Sequence, residues 1–96
     1  MITPYVRESC SCPQGALRDL AMSLAKEQLP NGVHVAHIVV DGMIDMAVTR
    51  TMTEGKVPQG RLMNPDAIAD AYWYLFTQPR SCFTFEMDMR PSLSQW

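Results

Sequence analysis

The chain has 96 residues, 47% of them hydrophobic and 19% charged, with a formal net charge of −2. That length fits one small domain or part of one, and the composition is that of a globular chain, not a disordered one. The slight negative charge gives no general attraction to nucleic acid or anionic lipid, and the absence of a run of about 18 apolar residues argues against a membrane span.

The opening stretch MITPYVRES lacks the apolar segment of a secretory signal. Three cysteines leave at least one thiol unpaired within the chain, which suits an intracellular, reducing compartment without fixing the organelle. Eight methionines are expected as soft filler in core and interface contacts. Residues 1–10 read as an N-terminal extension.

The first helix is expected from Pro13 to Leu29. Ala16, Leu17, Leu20, Ala21, Leu24, Ala25 and Leu29 recur at helical spacing. Ser11 and Gln14 have the spacing of a capping box, with Pro13 in the first turn, where a missing N–H does no harm. Asn31-Gly32 supplies a left-handed stop.

VHVAHIVV, residues 33–40, is β-branched and nearly continuously apolar, the pattern of a strand buried on both faces in a parallel sheet. Asp41-Gly42 ends it. A long connector follows over residues 43–63, with a short helical piece expected around Ile44 to Met52 and breaks at Gly55, Pro58 and Gly60. Its Arg50, Lys56 and Arg61 have the charge to meet an anion, but a solvated basic loop is the preferred reading.

Asn64-Pro65-Asp66 then opens a second helix as N-cap, first helical residue and acidic first turn. Ala67, Ile68, Ala71, Tyr72 and Leu75 form its buried stripe, and Trp73 and Phe76 widen that stripe toward a second contact surface. Pro79 stops it. SCFTFEMDM, residues 81–89, alternates like a strand with one apolar face and is expected at a sheet edge.

The fold class is therefore α/β: a partial Rossmann-like, doubly wound unit of helix, strand, long loop, helix, strand, with two parallel strands and an open edge. Strand 33–40 wants a neighbour on each side, and a long apolar edge left bare invites aggregation. Another polypeptide or a second copy of the chain is expected to pair with it; MITPYV, short and carrying Pro4, ranks below both.

From Gln14 onward the chain resembles the C-terminal portion of the short-chain dehydrogenase/reductase family. GALRDLAMSLAKEQLPNGVHVAHIVVDG is similar to the helix after the active site and the sixth strand. DAIADAYWYLFTQPRSCFTFEMDMRP is similar to the last helix and last strand, in a branch whose last strand reads aromatic–Thr–aromatic–acidic. The resemblance implies a dinucleotide-binding fold, NAD(P)-dependent hydride transfer, and subunit association through the helix after the active site and through the last helix and strand. It makes residues 43–63 similar to a substrate lid.

The family's Tyr-x-x-x-Lys pair falls on Cys10 and Gln14, and a glutamine has no charge with which to depress a neighbouring pKa. The substrate-polarising serine would lie before residue 1. The Pro-Gly and Thr positions of the nicotinamide loop fall on Asp41, Gly42 and Met46. No glycine-rich phosphate turn follows a first strand. The resemblance thus implies a degenerate site that does not catalyse on its own, binding no cofactor alone and NAD(P) only if a partner chain completes it.

Other constellations are weaker. Cys10-x-Cys12 with His34, His37 and Cys82 lacks convergence, since His34 and His37 would point to opposite faces of a strand; no metal is expected. Asp41 and Asp45 read as solvated turn carboxylates. Tyr72, Trp73 and Tyr74 lie about 100° apart around a helix and cannot all stack on one ligand.

Overall fold

The computed structural model describes residues 2–6 and 11–94, with side chains described from residue 15. In chain order the main elements are β1 (Ile2–Val6), α1 (Ser11–Gln28), β2 (Ala36–Val40), β3 (Met43–Ile44), α2 (Ala47–Met52), β4 (Leu62–Met63), α3 (Pro65–Phe76) and β5 (Glu86–Met89). A three-stranded sheet has the order β1-β2-β5, and β3 and β4 form a two-stranded sheet; every pairing is parallel. The class is α/β and partially Rossmann-like, as the sequence indicates.

The central strand covers only Ala36–Val40 of the expected 33–40, and its pairing differs from expectation. The second neighbour of the central strand is Ile2–Val6, in register from Ile2 opposite Ala36 to Val6 opposite Val40. The segment ranked last takes the place, so the sheet has three strands and both edges of β2 are paired. Pro4 does not prevent this, because it stands in a strand at the sheet's edge, where a proline is tolerated.

Alternation along β2 divides its side chains between two layers. Ala36, Ile38 and Val40 pack with Met63 and Leu75 into the core, flanked by Ile68 and Tyr72 of α3 and Met87 and Met89 of β5. Val35 and His37 are buried on the other face, toward α1, where Ala21 is buried as well. Ile38 and Leu75 are fully enclosed.

Local chemistry sets the ends of the elements. After α1 a 3₁₀ turn covers Leu29–Asn31, and Gly32, at φ 72°, returns its N–H to the Leu29 carbonyl. A Cβ there would adopt a disfavoured backbone conformation, which favours glycine; the Arg80 guanidinium, 2.8 Å away, is the end of a flexible side chain that can swing aside. The Asn64 side chain accepts from the Asp66 and Ala67 N–H groups at 2.8 and 3.3 Å, and Pro65 follows it.

The last strand is shorter than expected. Cys82 belongs to a turn, its N–H donating to the Pro79 carbonyl at 3.0 Å. Gln78 grips Thr84 twice, Nε2 to Oγ1 at 2.8 Å and Oε1 to the Thr84 N–H at 2.9 Å. Phe83 stacks on His34 with ring centroids 4.1 Å apart. These contacts hold residues 82–84 outside the ladder despite their alternating pattern. Cys82 is an exposed free thiol.

Replacing Asn64 with alanine removes two accepted bonds at the start of α3 and is expected to cost about 1 kcal/mol, read as a lower urea midpoint at unchanged slope.

Candidate functional site

In open parallel sheets ligands bind outside the carboxyl ends of the strands. Here that end is formed by Asp41 and Gly42 after β2 and by Arg90 and Pro91 after β5. The Asp41 N–H donates to the Met89 carbonyl at 3.0 Å, carrying the ladder one residue past the strand. A cleft of about 440 Å³ opens beside it, lined by Gly42, Met43, Lys56, Arg61, Pro91 and Leu93 among others. Its far wall is tied down by the Leu93 N–H, which donates to the Gly60 carbonyl at 3.1 Å.

Asp41 is not a solvated carboxylate. It is mostly buried and ion-paired with Arg90, which also reaches Asp88 on β5 at 3.0 Å. The two carboxylates hold the Arg90 guanidinium in its charged form, Asp88 contributing most. Gly42 is required by close approach: a Cβ would come within 2.7 Å of Pro91 and 3.1 Å of the Met63 sulfur. Met46 caps α2 without a side-chain bond and is 49% exposed.

Asp45 is likewise engaged, with Arg50 at 2.5 and 2.7 Å. That hydrogen bonding draws its carboxyl below the usual range. Lys56 pairs with Glu54. The basic character of the connector is thus partly neutralised within it. The connector closes on itself through the β3–β4 pairing and the Asp45 N–H, which donates to the Met63 carbonyl at 2.8 Å.

Cys10 lies outside the described residues, as does the side chain of Gln14, whose backbone stands in the first turns of α1. His34 Nε2 meets the Thr84 carbonyl at 2.7 Å, while His37 is buried in the sheet. Among the described residues no three His, Cys, Asp or Glu side chains converge to hold a metal, and no helix is long and apolar enough to cross a membrane.

A further group was not visible from sequence. His37 is 2% exposed, and neither ring nitrogen finds a hydrogen-bond partner among the described residues. The nearest charge is Glu86 on β5, its Oε2 3.7 Å from Nδ1, and that carboxylate is bound by Arg18 of α1 at 2.5 Å. Arg18 also lies over the Phe85 ring, 5.9 Å from its centroid. The set holds α1 against the sheet. Only the register, which places His37 opposite Glu86, brings it together.

A crystal structure of a short-chain dehydrogenase from Rhodopseudomonas palustris is similar to this chain, with a TM-score of 0.60 and 31% sequence identity. The likeness covers 94% of this chain and 37% of that one, so the chain spans little more than a third of its neighbour's length. No family model and no curated protein matches the chain. The fold is short-chain-dehydrogenase-like over the length that this chain spans.

Replacing His37 with leucine, of similar size, removes a buried polar group that lacks a partner. At pH 8 the variant is expected to be more stable by about 1 kcal/mol in urea unfolding. A loss of that size would show that the imidazole is satisfied after all.

Proposed function

We propose that this chain is a non-catalytic, short-chain-dehydrogenase-like unit that serves as a structural or interaction subunit in a larger assembly. The observation that carries this is the outer face of α3. Trp73 is 65% and Phe76 72% exposed, their ring centroids 5.6 Å apart. Ala69 is exposed one turn earlier on the same face, and Tyr74 is exposed on another side of the helix. Large aromatic side chains gathered on one exposed helix face mark a contact surface. The same helix opens with a satisfied cap and buries Leu75 completely, so the face is presented by a well-formed element.

The absence of catalysis by this chain alone is supported by Gln14 and Cys10 at the positions of the resemblance's lysine and tyrosine. A dinucleotide is also poorly provided for. The connection from β1 to α1 reads Arg7-Glu8-Ser9-Cys10, without the glycines that let backbone approach a pyrophosphate. At the positions of the nicotinamide loop, Asp41 is engaged by Arg90 and Met46 offers no strong hydrogen-bonding group. The residues present do not fit the cofactor, and no chemical step is assigned to them. The cysteine count favours work in a reducing compartment.

A second reading is favoured by the partial coverage of the neighbour. The chain would be one piece of a split NAD(P)-dependent oxidoreductase, completed by another polypeptide that brings the nucleotide half, with residues 43–63 as substrate lid.

Light scattering after size exclusion is expected to find the native chain as a dimer or larger. Trp73→Ser with Phe76→Ser should shift it to monomer without loss of helix content. A stable, well-folded native monomer would count heavily against the first reading. For the second, titration of NAD and NADP into the chain with a candidate partner should show saturable binding and turnover; neither would remove it.

A further inference from the structure

The backbone of β1 carries information beyond its pairing. In a parallel strand both backbone groups of a residue point to the same neighbour, and successive residues alternate between neighbours. The His37 N–H donates to the Phe85 carbonyl at 2.7 Å and the Asp41 N–H to the Met89 carbonyl at 3.0 Å. His37, Val39 and Asp41 therefore direct their backbone groups to β5, and Ala36, Ile38 and Val40 direct theirs to β1. Pro4 stands opposite Ile38. The parallel pattern then bonds Ile38 to the residues flanking Pro4, its N–H to the Thr3 carbonyl and its carbonyl to the Tyr5 N–H. Ile2, Pro4 and Val6 direct their backbone groups to the outer edge.

The one residue of β1 with no N–H to give thus stands at the middle of the outward-facing set. It costs the β1–β2 ladder nothing. It does remove the central donor from the edge that, among the described residues, has no neighbour. A strand added there would bring a carbonyl to the Pro4 nitrogen and leave it without a partner. Proline on an edge strand is a recognised means of discouraging edge-to-edge pairing. We infer that Pro4 guards the outer edge of β1 against strand addition, so that this chain associates through its helix faces and not by extending its sheet. The guarding of the edge rests on the sheet register, and only the association through helix faces rests on the reading given to the α3 face.

The test compares the native chain with Pro4→Thr, each titrated with a labelled peptide MITTYVR as an incoming strand. Exchange of the backbone amide that the substitution introduces at position 4 is followed in the peptide-free protein at low concentration. The variant is expected to bind the peptide about tenfold or more tightly than the native chain does. Its new amide at position 4 should exchange fast while that of Tyr5 is protected. Equal binding by both proteins, including none by either, or slow exchange of the position 4 amide, would overturn the inference. Should Pro4→Thr fail to fold, Pro4→Ala carries the same comparison. Monomers produced by the α3 substitutions leave this outcome unaffected, so the two ideas fail separately.

Discussion

Everything in this chain is arranged around a strand that cannot face water. Ala36–Val40 is apolar on one side and nearly so on the other, with Ala36, His37, Ile38 and Val40 all buried. Such a strand needs a ladder partner along each edge and a helix over each face, because an unpaired backbone group or a bare apolar face in its position would take up much of the margin of a small domain. β1 and β5 supply the edges, α1 and α3 the faces. With so few residues, no element is spare. The β1–α1–β2 unit completes one layer, and the connector through α3 to β5 completes the other.

That economy reaches the end of the sheet where a relative of the fold would place a ligand. Arg90 joins Asp41 on the central strand to Asp88 on the edge strand, and Gly42 lets Pro91 and Met63 close over the turn. Of the positions that the family resemblance assigns to the nicotinamide loop, Asp41 and Gly42 are used here to seal the sheet, while Met46 stays exposed. A carboxylate already satisfied by a mostly buried arginine is a poor general base, and a glycine pressed by a proline ring leaves little room for another ring. These contacts favour a scaffold role at this end of the molecule, with the cleft beside it narrowed by the chain's own C-terminal segment.

Sequence reasoning worked where the determinants are local. Asn64-Pro65 announced a helix start and Asn31-Gly32 a helix end, because caps and left-handed glycines act within a few residues. It failed where a distant partner decided. Residues 82–84 alternate like a strand, yet Gln78 and His34 hold Thr84 and Phe83 elsewhere, and no period-two pattern reveals those grips. MITPYV is short and carries Pro4, two features that from sequence alone rank it below another polypeptide as a strand partner. What matters is which edge the proline nitrogen faces, and only the pairing of Pro4 with Ile38 settles that. The arginine partners of Asp41 and Asp45 illustrate the same division. Asp45 finds its partner one turn into α2, within reach of local reasoning, whereas Arg90 lies across the sheet.

The outer strands share a logic that bears on how the molecule meets others. β1 turns a proline nitrogen outward, and β5 carries Glu86 and Asp88 at positions whose backbone groups point away from β2. Charged residues and proline on edge strands are two of the established ways to stop a sheet from growing. Each acidic residue is also tied inward, Glu86 to Arg18 and Asp88 to Arg90, which anchors the edge as well as charging it. Among the described residues the sheet has three strands, and each outer strand carries residues of a kind that discourages further pairing. The most exposed large apolar side chains include Trp73 and Phe76 on α3 and Met52 on α2, with Met43, Met46 and Leu93 exposed outside the helices. A molecule that closes its edges while leaving aromatic helix faces open is suited to packing face to face with a partner, and a small core such as this one has most to gain from that burial.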